Sequence, residues 1–170
     1  YKKAGKKFFL YLHYSNIHTE IMQNVLKKYN NFSSEYFANK EKNMEFYNKL
    51  FFDSDVYLGK ILQHYENLNL DEDTLLVVIS DHGISTGEKF GERGYGVFCY
   101  DYTLLSGAMF CHKNIKPIQI KNQVRSIDIL PTILELLSIN QDSAYEKIQG
   151  ESLVPLMNGK IESRITFSQS

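Results

Sequence analysis

Residues 75–83 read Leu-Leu-Val-Val-Ile-Ser-Asp-His-Gly, and no other stretch constrains the fold as tightly. Five consecutive apolar residues, all leucine or β-branched, have the pattern of a strand buried on both faces. That strand stops abruptly in an acid, an imidazole and a glycine. In open α/β sheets, ligands collect at the carboxyl ends of the strands. Asp81 and His82 at such an end can hold a divalent metal, through a carboxylate oxygen and a ring nitrogen. The alternative is an ordinary Asp-Gly-type turn, and the neighbouring segments weigh against it.

Those segments alternate in type. Phe8 to His13 is a short apolar, aromatic run that reads as a buried strand, with a polar loop from Tyr14 to Thr19 at its carboxyl end. A short helix is expected from Ile21 to Tyr29, and irregular chain from Asn30 to Lys40. Tyr47, Leu50, Phe51, Ser54, Leu58, Ile61, Leu62 and Tyr65 recur at three- and four-residue spacing and predict a long helix, closed by Asn67 to Asp73. Gly83 to Gly96 is glycine-rich, charged and irregular, as a functional loop would be. Thr103 to Phe110 reads as a third strand. Ser126 is placed to cap a helix through Ile127, Leu130, Ile133, Leu134 and Leu137, with Asp128 in its first turn and Pro131 near its start. Arg164 to Phe167 fits a short edge strand. The expected class is α/β, a mostly parallel sheet flanked by helices with right-handed crossovers.

Composition narrows the function classes. The 170 residues fit one domain, and a net charge of −1 leaves no electrostatic footprint for nucleic acid or an anionic membrane. An anionic substrate must therefore meet local cations. Cys99 and Cys111 have neither zinc-site spacing nor a disulfide-rich pattern, and Cys111 is expected as a small buried hydrophobe. No apolar run approaches a membrane span and no signal peptide opens the sequence, so localisation is open. Residues 1–5, Tyr-Lys-Lys-Ala-Gly, resemble the translated scar of a recombination cloning system, which leaves 6–170 as the domain. A chain that enters its first strand without a lead-in is expected to be part of something longer.

His18 follows the first expected strand. If the two strands are parallel neighbours, it faces Asp81 and His82; otherwise it is an exposed loop histidine. Lys89 and Arg93 lie just beyond the metal candidates, where cations can bind the non-bridging oxygens of a phosphate or sulfate ester. The alternative there is a solvated loop whose charge Glu88 and Glu92 balance. His13 is expected to pack in its strand, His64 to lie at the surface, and His112 is a weaker ligand candidate.

Together these segments resemble the carboxyl part of the catalytic domain of sulfatases, within the alkaline phosphatase superfamily. The resemblance rests on the Phe8–His13 strand with His18 beyond it and on the helix from Tyr57 followed by the strand ending Ser80-Asp81-His82-Gly83. It continues through Gly87-Glu88, the segment Tyr100 to Leu104, Pro131-Thr132 within Ser126 to Leu134, and Gly150-Glu151-Ser152-Leu153. It implies an alkaline-phosphatase-like α/β fold, incomplete here, and a metal-dependent hydrolase of sulfate or phosphate esters. Asp81 and His82 then match metal-ligand positions for calcium, manganese or zinc. His18 matches the histidine that contacts the ester or assists its leaving group, and Lys89 and Arg93 fall loosely on substrate-binding positions. The substrate would be a small-molecule, glycan or lipid-headgroup ester.

The family's nucleophile is a modified Cys, or a Ser or Thr, in the amino-terminal half. Neither cysteine here begins the Cys-x-Pro-x-Arg pattern, so the nucleophile is expected outside this chain, and the isolated chain is expected to be inactive. Exposed sheet edges would then favour self-association. The alternatives are a phosphoethanolamine- or phosphoglycerol-type phosphotransferase of the same superfamily and a non-catalytic binding domain with this fold.

Overall fold

The computed structural model of the protein describes residues 5–21, 23, 34–142, 146–160 and 164–169. The chain divides into two compact units, Tyr1–Ile61 with Thr86–Gly94, and Leu62–Ser85 with Tyr95–Ser170.

The first unit is helical. It holds α1 (Asn16–Ile21), α2 (Ser34–Ala38) and most of α3 (Lys40–Asn67), whose final turns from Leu62 belong to the second unit. The expected long helix is present and begins earlier than the apolar spacing suggested. Its i,i+4 contacts are explicit: Tyr47 and Phe51 meet edge to face at 4.9 Å, and the Ser54 hydroxyl donates to the Leu50 carbonyl at 2.7 Å. Ile21, Tyr36 and Leu50 are buried. After α3 the chain turns at Asn69, whose φ of 51° lies in the left-handed region that asparagine tolerates. Of the helix expected from Ile21 to Tyr29, residues 22 and 24–29 lie outside the described residues, as do residues 1–4 of the expected terminal scar.

Phe8 to His13 is not a strand. Phe9 is 88% exposed and Leu12 62%, and His13 is exposed as well. An apolar run becomes a buried strand only when neighbours pair with it, and the described residues supply none. His18, expected in a loop, instead lies within α1 and is exposed.

The second unit carries β1 (Leu76–Ile79), the helical turn α4 (Asp101–Leu104) and β2 (Ala108–Cys111). The two strands pair antiparallel, from Leu76 opposite Cys111 to Ile79 opposite Ala108. This is the sheet of the described residues, where a mostly parallel one was expected. The expected third strand is shortened because Thr103 bonds locally. Its hydroxyl donates to the Tyr100 carbonyl at 2.9 Å, the Leu104 amide donates to the same carbonyl at 3.0 Å, and a helical turn results. A two-stranded ribbon leaves its faces open, so Ile79 is 52% exposed and Cys111 is exposed, not buried.

Past β2, a 3-10 turn (Ser126–Asp128) leads into α5 (Ile129–Leu136), with Pro131 near its start, and α6 (Val154–Met157) follows. Ser126 is not the cap. Arg125 takes that place, its amide donating to the Asp128 carboxylate at 3.0 Å. The expected edge strand at Arg164 to Phe167 is irregular chain, with Arg164 buried and Phe167 exposed.

Asp128 organises this part of the unit. It is wholly buried, and its carboxylate accepts from Arg125 Nη2 at 2.9 Å and the Glu151 amide at 2.9 Å, with Arg164 Nη1 paired at 2.7 Å. Arg164 also donates to the carbonyls of Glu151 and Ser152. One turn on, the Thr132 hydroxyl donates to the Asp128 carbonyl at 2.6 Å and accepts from the Leu153 amide at 2.8 Å. Gly150 fits because it has no Cβ: one placed there would stand 2.2 Å from the Ile127 carbonyl oxygen, and its φ is 89°.

Burial alone would raise the Asp128 pKa, but the bonds from Arg125, the Glu151 amide and Arg164 outweigh it and lower the value from 3.8 to about 2. A folded value below the unfolded one makes the stabilisation complete above about pH 4 and removes it as pH falls toward 2. The contribution at neutral pH is about 2 kcal/mol. Asp128→Asn is expected to cost about 3 kcal/mol at pH 7, since it leaves two guanidinium groups facing a neutral amide. Urea melts of both proteins at pH 7 and pH 3 check this, and the gap between them should narrow at the lower pH.

Candidate functional site

The carboxyl end of β1 is shaped by backbone contacts. The Ser80 amide donates to the Gly107 carbonyl at 2.9 Å, and the Gly83 amide donates to Thr103 at 3.0 Å. Gly83 lies so close to α4 that a Cβ would meet the Tyr102 carbonyl oxygen at 2.2 Å. Only glycine permits that approach. Asp81 and His82, the two residues between these anchors, are held at both ends.

Their side chains form one polar pair. Asp81 Oδ1 accepts the His82 amide at 2.9 Å, and the Asp81 carboxylate is 85% exposed. His82 Nδ1 lies 2.6 Å from the Gly83 carbonyl oxygen. A carbonyl can only accept, so Nδ1 carries a proton, and the tautomer that satisfies this contact has its lone pair at Nε2. Nε2 lies 3.8 Å from Asp81 Oδ2, and the Tyr95 ring covers the imidazole with centroids 4.2 Å apart. Histidines that bind metals commonly donate their second N–H to a carbonyl in this manner. The donor types and the tautomer therefore fit a divalent cation. Among the described residues, no group of three or more His, Cys, Asp or Glu side chains is poised to hold a metal, and Asp81 and His82 by themselves offer two donors.

In the first unit, the loop from Thr86 to Gly94 carries Lys89, which is exposed, and Arg93, which is half-buried. Its acids do not merely balance charge in solvent. Glu88 Oε2 accepts the amides of Thr86 at 2.7 Å and Gly87 at 3.1 Å, and Oε1 accepts the Thr86 hydroxyl at 2.8 Å. Glu92 is wholly buried. Asn43 of α3, also buried, donates to the carbonyls of Thr86 at 2.9 Å and Tyr36 at 3.0 Å. Burial first, and then the charge of Glu88, raise the pKa of the Tyr47 phenol. Phe37 and Phe90 pack with ring centroids 4.8 Å apart.

Each unit thus holds its own candidates: Asp81 and His82 in one, His18, Lys89 and Arg93 in the other. His64 is exposed on α3, as expected, and His112 Nδ1 accepts the Asn114 amide at 3.2 Å. The sequence reading missed Asn43, Glu88 as a loop anchor, and Tyr95. The glutamate two residues after Thr86 was the one available signal, because such an acid can reach back to cap the amides before it.

Residues 1–139 match a family model described as Sulfatase. The chain belongs to the sulfatase family. Arylsulfatase K of Homo sapiens is 30% identical over 123 residues, covering 71% of this chain and 22% of the relative. The choline-sulfatase of Rhizobium meliloti (strain 1021) is 26% identical over 107 residues, 62% of this chain and 20% of the relative. A sulfatase of Formosa agariphila is 30% identical over 104 residues, 61% of this chain and 20% of the relative. This sulfatase chain thus spans about a fifth of the length of those relatives.

Membership brings the alkaline-phosphatase-like α/β class, to which the helices and the small sheet belong. No helix among the described residues is long and apolar enough to cross a membrane. Gly83→Ala tests the strand end of this sulfatase segment. The added methyl must displace the Tyr102 carbonyl, and a loss of about 2–3 kcal/mol in urea unfolding is expected.

Proposed function

We propose that this chain is part of a metal-dependent sulfatase-like hydrolase of sulfate esters, and that the sheet of the full domain is mostly parallel. The family match over residues 1–139 carries the reading, and the tautomer of His82 supports its metal-dependent form. Asp81 and His82 hold the cation, which is calcium, manganese or zinc. When bound, it stabilises negative charge on the nucleophile and the ester oxygens. Lys89 and Arg93 bind non-bridging oxygens of the ester; the guanidinium can do so with two parallel hydrogen bonds. His18 donates a proton to the leaving oxygen. Neither Cys99 nor Cys111 begins a Cys-x-Pro-x-Arg run, which supports a nucleophile carried by another part of the full-length protein.

Hydrolysis of p-nitrophenyl sulfate by the full-length enzyme tests this, with p-nitrophenyl phosphate as the comparison. Activity should vanish in EDTA and return with one of the three cations. Asp81→Asn and His82→Ala should each lower kcat/KM on the order of 100-fold or more and weaken the cation measured by calorimetry. Full activity in EDTA, or cation binding unaffected by both substitutions, would remove the metal assignment.

The exposed run with Phe9 and Leu12 and the open faces of β1 and β2 are surfaces that the remainder of a full-length sulfatase would cover. The isolated chain is therefore expected to self-associate. Sedimentation velocity at rising concentration should show growing species, and a monomer at all concentrations would argue against it.

A further inference from the structure

We propose that Asn43 and Glu88 are positioning residues, which fix the stem of the Thr86–Gly94 loop so that Lys89 is presented to the substrate ester. The role rests on the assignment of Lys89 to ester binding given above. Three polar groups of Thr86 are engaged at once. Its amide and hydroxyl donate to Glu88 at 2.7 and 2.8 Å, and its carbonyl accepts from Asn43 at 2.9 Å. The second amide hydrogen of Asn43 is spent on the Tyr36 carbonyl at 3.0 Å, which ties the same stem to α2. Gly87 takes a φ of 115°, and a Cβ there would lie 3.3 Å from the Tyr36 carbonyl oxygen. Ser85, Thr86 and Gly87 are buried, whereas Lys89 is exposed and Phe90 is 73% exposed. A stem held at all three polar groups of Thr86 and at the Gly87 amide thus gives way, two residues past Gly87, to an exposed cation.

The charge of Glu88 agrees with this role. An acid beside an ester-binding lysine would repel an anionic ester if its charge were left in the open. Here both carboxylate oxygens face loop donors, two amides and a hydroxyl, and the charge is spent on shaping the loop. A conformation held before substrate arrives spares the ordering of a long, rotamer-rich side chain's backbone during binding. The expected signature is a change in substrate binding that passes through Lys89.

The test is steady-state hydrolysis of p-nitrophenyl sulfate by the full-length enzyme, comparing wild type, Lys89→Met, Glu88→Gln and the double variant. Lys89→Met should raise KM about tenfold. Glu88→Gln should raise KM by roughly three- to tenfold with kcat within about twofold, and the double variant should be no worse than Lys89→Met alone. Asn43→Asp, which turns two donors toward carbonyls as acceptors, should reproduce the pattern; should it fail to fold, Glu88→Gln carries the test. Glu88→Asp, with a shorter reach to the same amides, should recover part of the lost KM. Multiplying losses in the double variant, or a lower melting temperature with KM unchanged, would make the two residues structural only and overturn the proposal. A silent Lys89→Met would instead remove the Lys89 assignment, and the proposal with it.

Discussion

The buried carboxylate of Asp128 is the interaction on which the carboxyl-terminal part of the structure depends. A charge removed from water is costly unless its oxygens are fully bonded, and Asp128 is served by two guanidinium groups and two backbone amides. Those donors come from three separate stretches of chain, at Arg125, Glu151 and Arg164. Meeting the demand of one carboxylate therefore brings the stretches together. Hydrogen bonds are directional where apolar contact is not, so the closing turn at Gly150 to Leu153 has one placement, with Leu153 and Leu156 buried once it is reached.

The loop of the first unit follows the same logic on a smaller scale. Thr86 is short and polar, and it is buried where its backbone groups have no helix or sheet to join. Glu88 and Asn43 take the place of a ladder. Such a solution is local and stiff, and it costs little apolar area, which suits a segment whose next residues, Lys89 and Phe90, are exposed. Among the described residues the buried side chains include Asn43, Thr86, Glu92, Asp128 and Thr132 beside Tyr36, Ile21 and Leu153, so polar bonding shares the task of the core.

Legibility in the sequence followed the range of the forces. The long helix was readable because its contacts recur every three or four residues, and the Gly83–Gly96 loop because glycine and charge exclude regular structure. The strand before Asp81 was readable from five apolar residues, yet neither its partner nor the pairing direction was, since both depend on residues far along the chain. Phe8 to His13 misled for the same reason: an apolar run records a preference for burial, and burial needs something to lie against. Asp128 was noticed only as a first-turn acid, because nothing near it in sequence announces Arg164. Family membership was legible where individual contacts were not. Ordered short motifs survive in a chain even when the partners that give each its role are dispersed.

His82 shows what two adjacent donors can and cannot do. The Gly83 carbonyl fixes the ring tautomer, Tyr95 covers one face of the ring, and Asp81 stands 3.8 Å from Nε2, so a cation bound here would meet groups already oriented. Orientation without number gives little affinity or selectivity, because cations are distinguished by ligand count and geometry as well as by donor type. Under the proposed reading, the remaining ligands come from elsewhere in the full-length enzyme. The free energy of metal binding is then also free energy of assembly, available only when separate parts of the domain are in place together. Metal affinity in such a protein reports on completeness of the fold as directly as on the chemistry of the site.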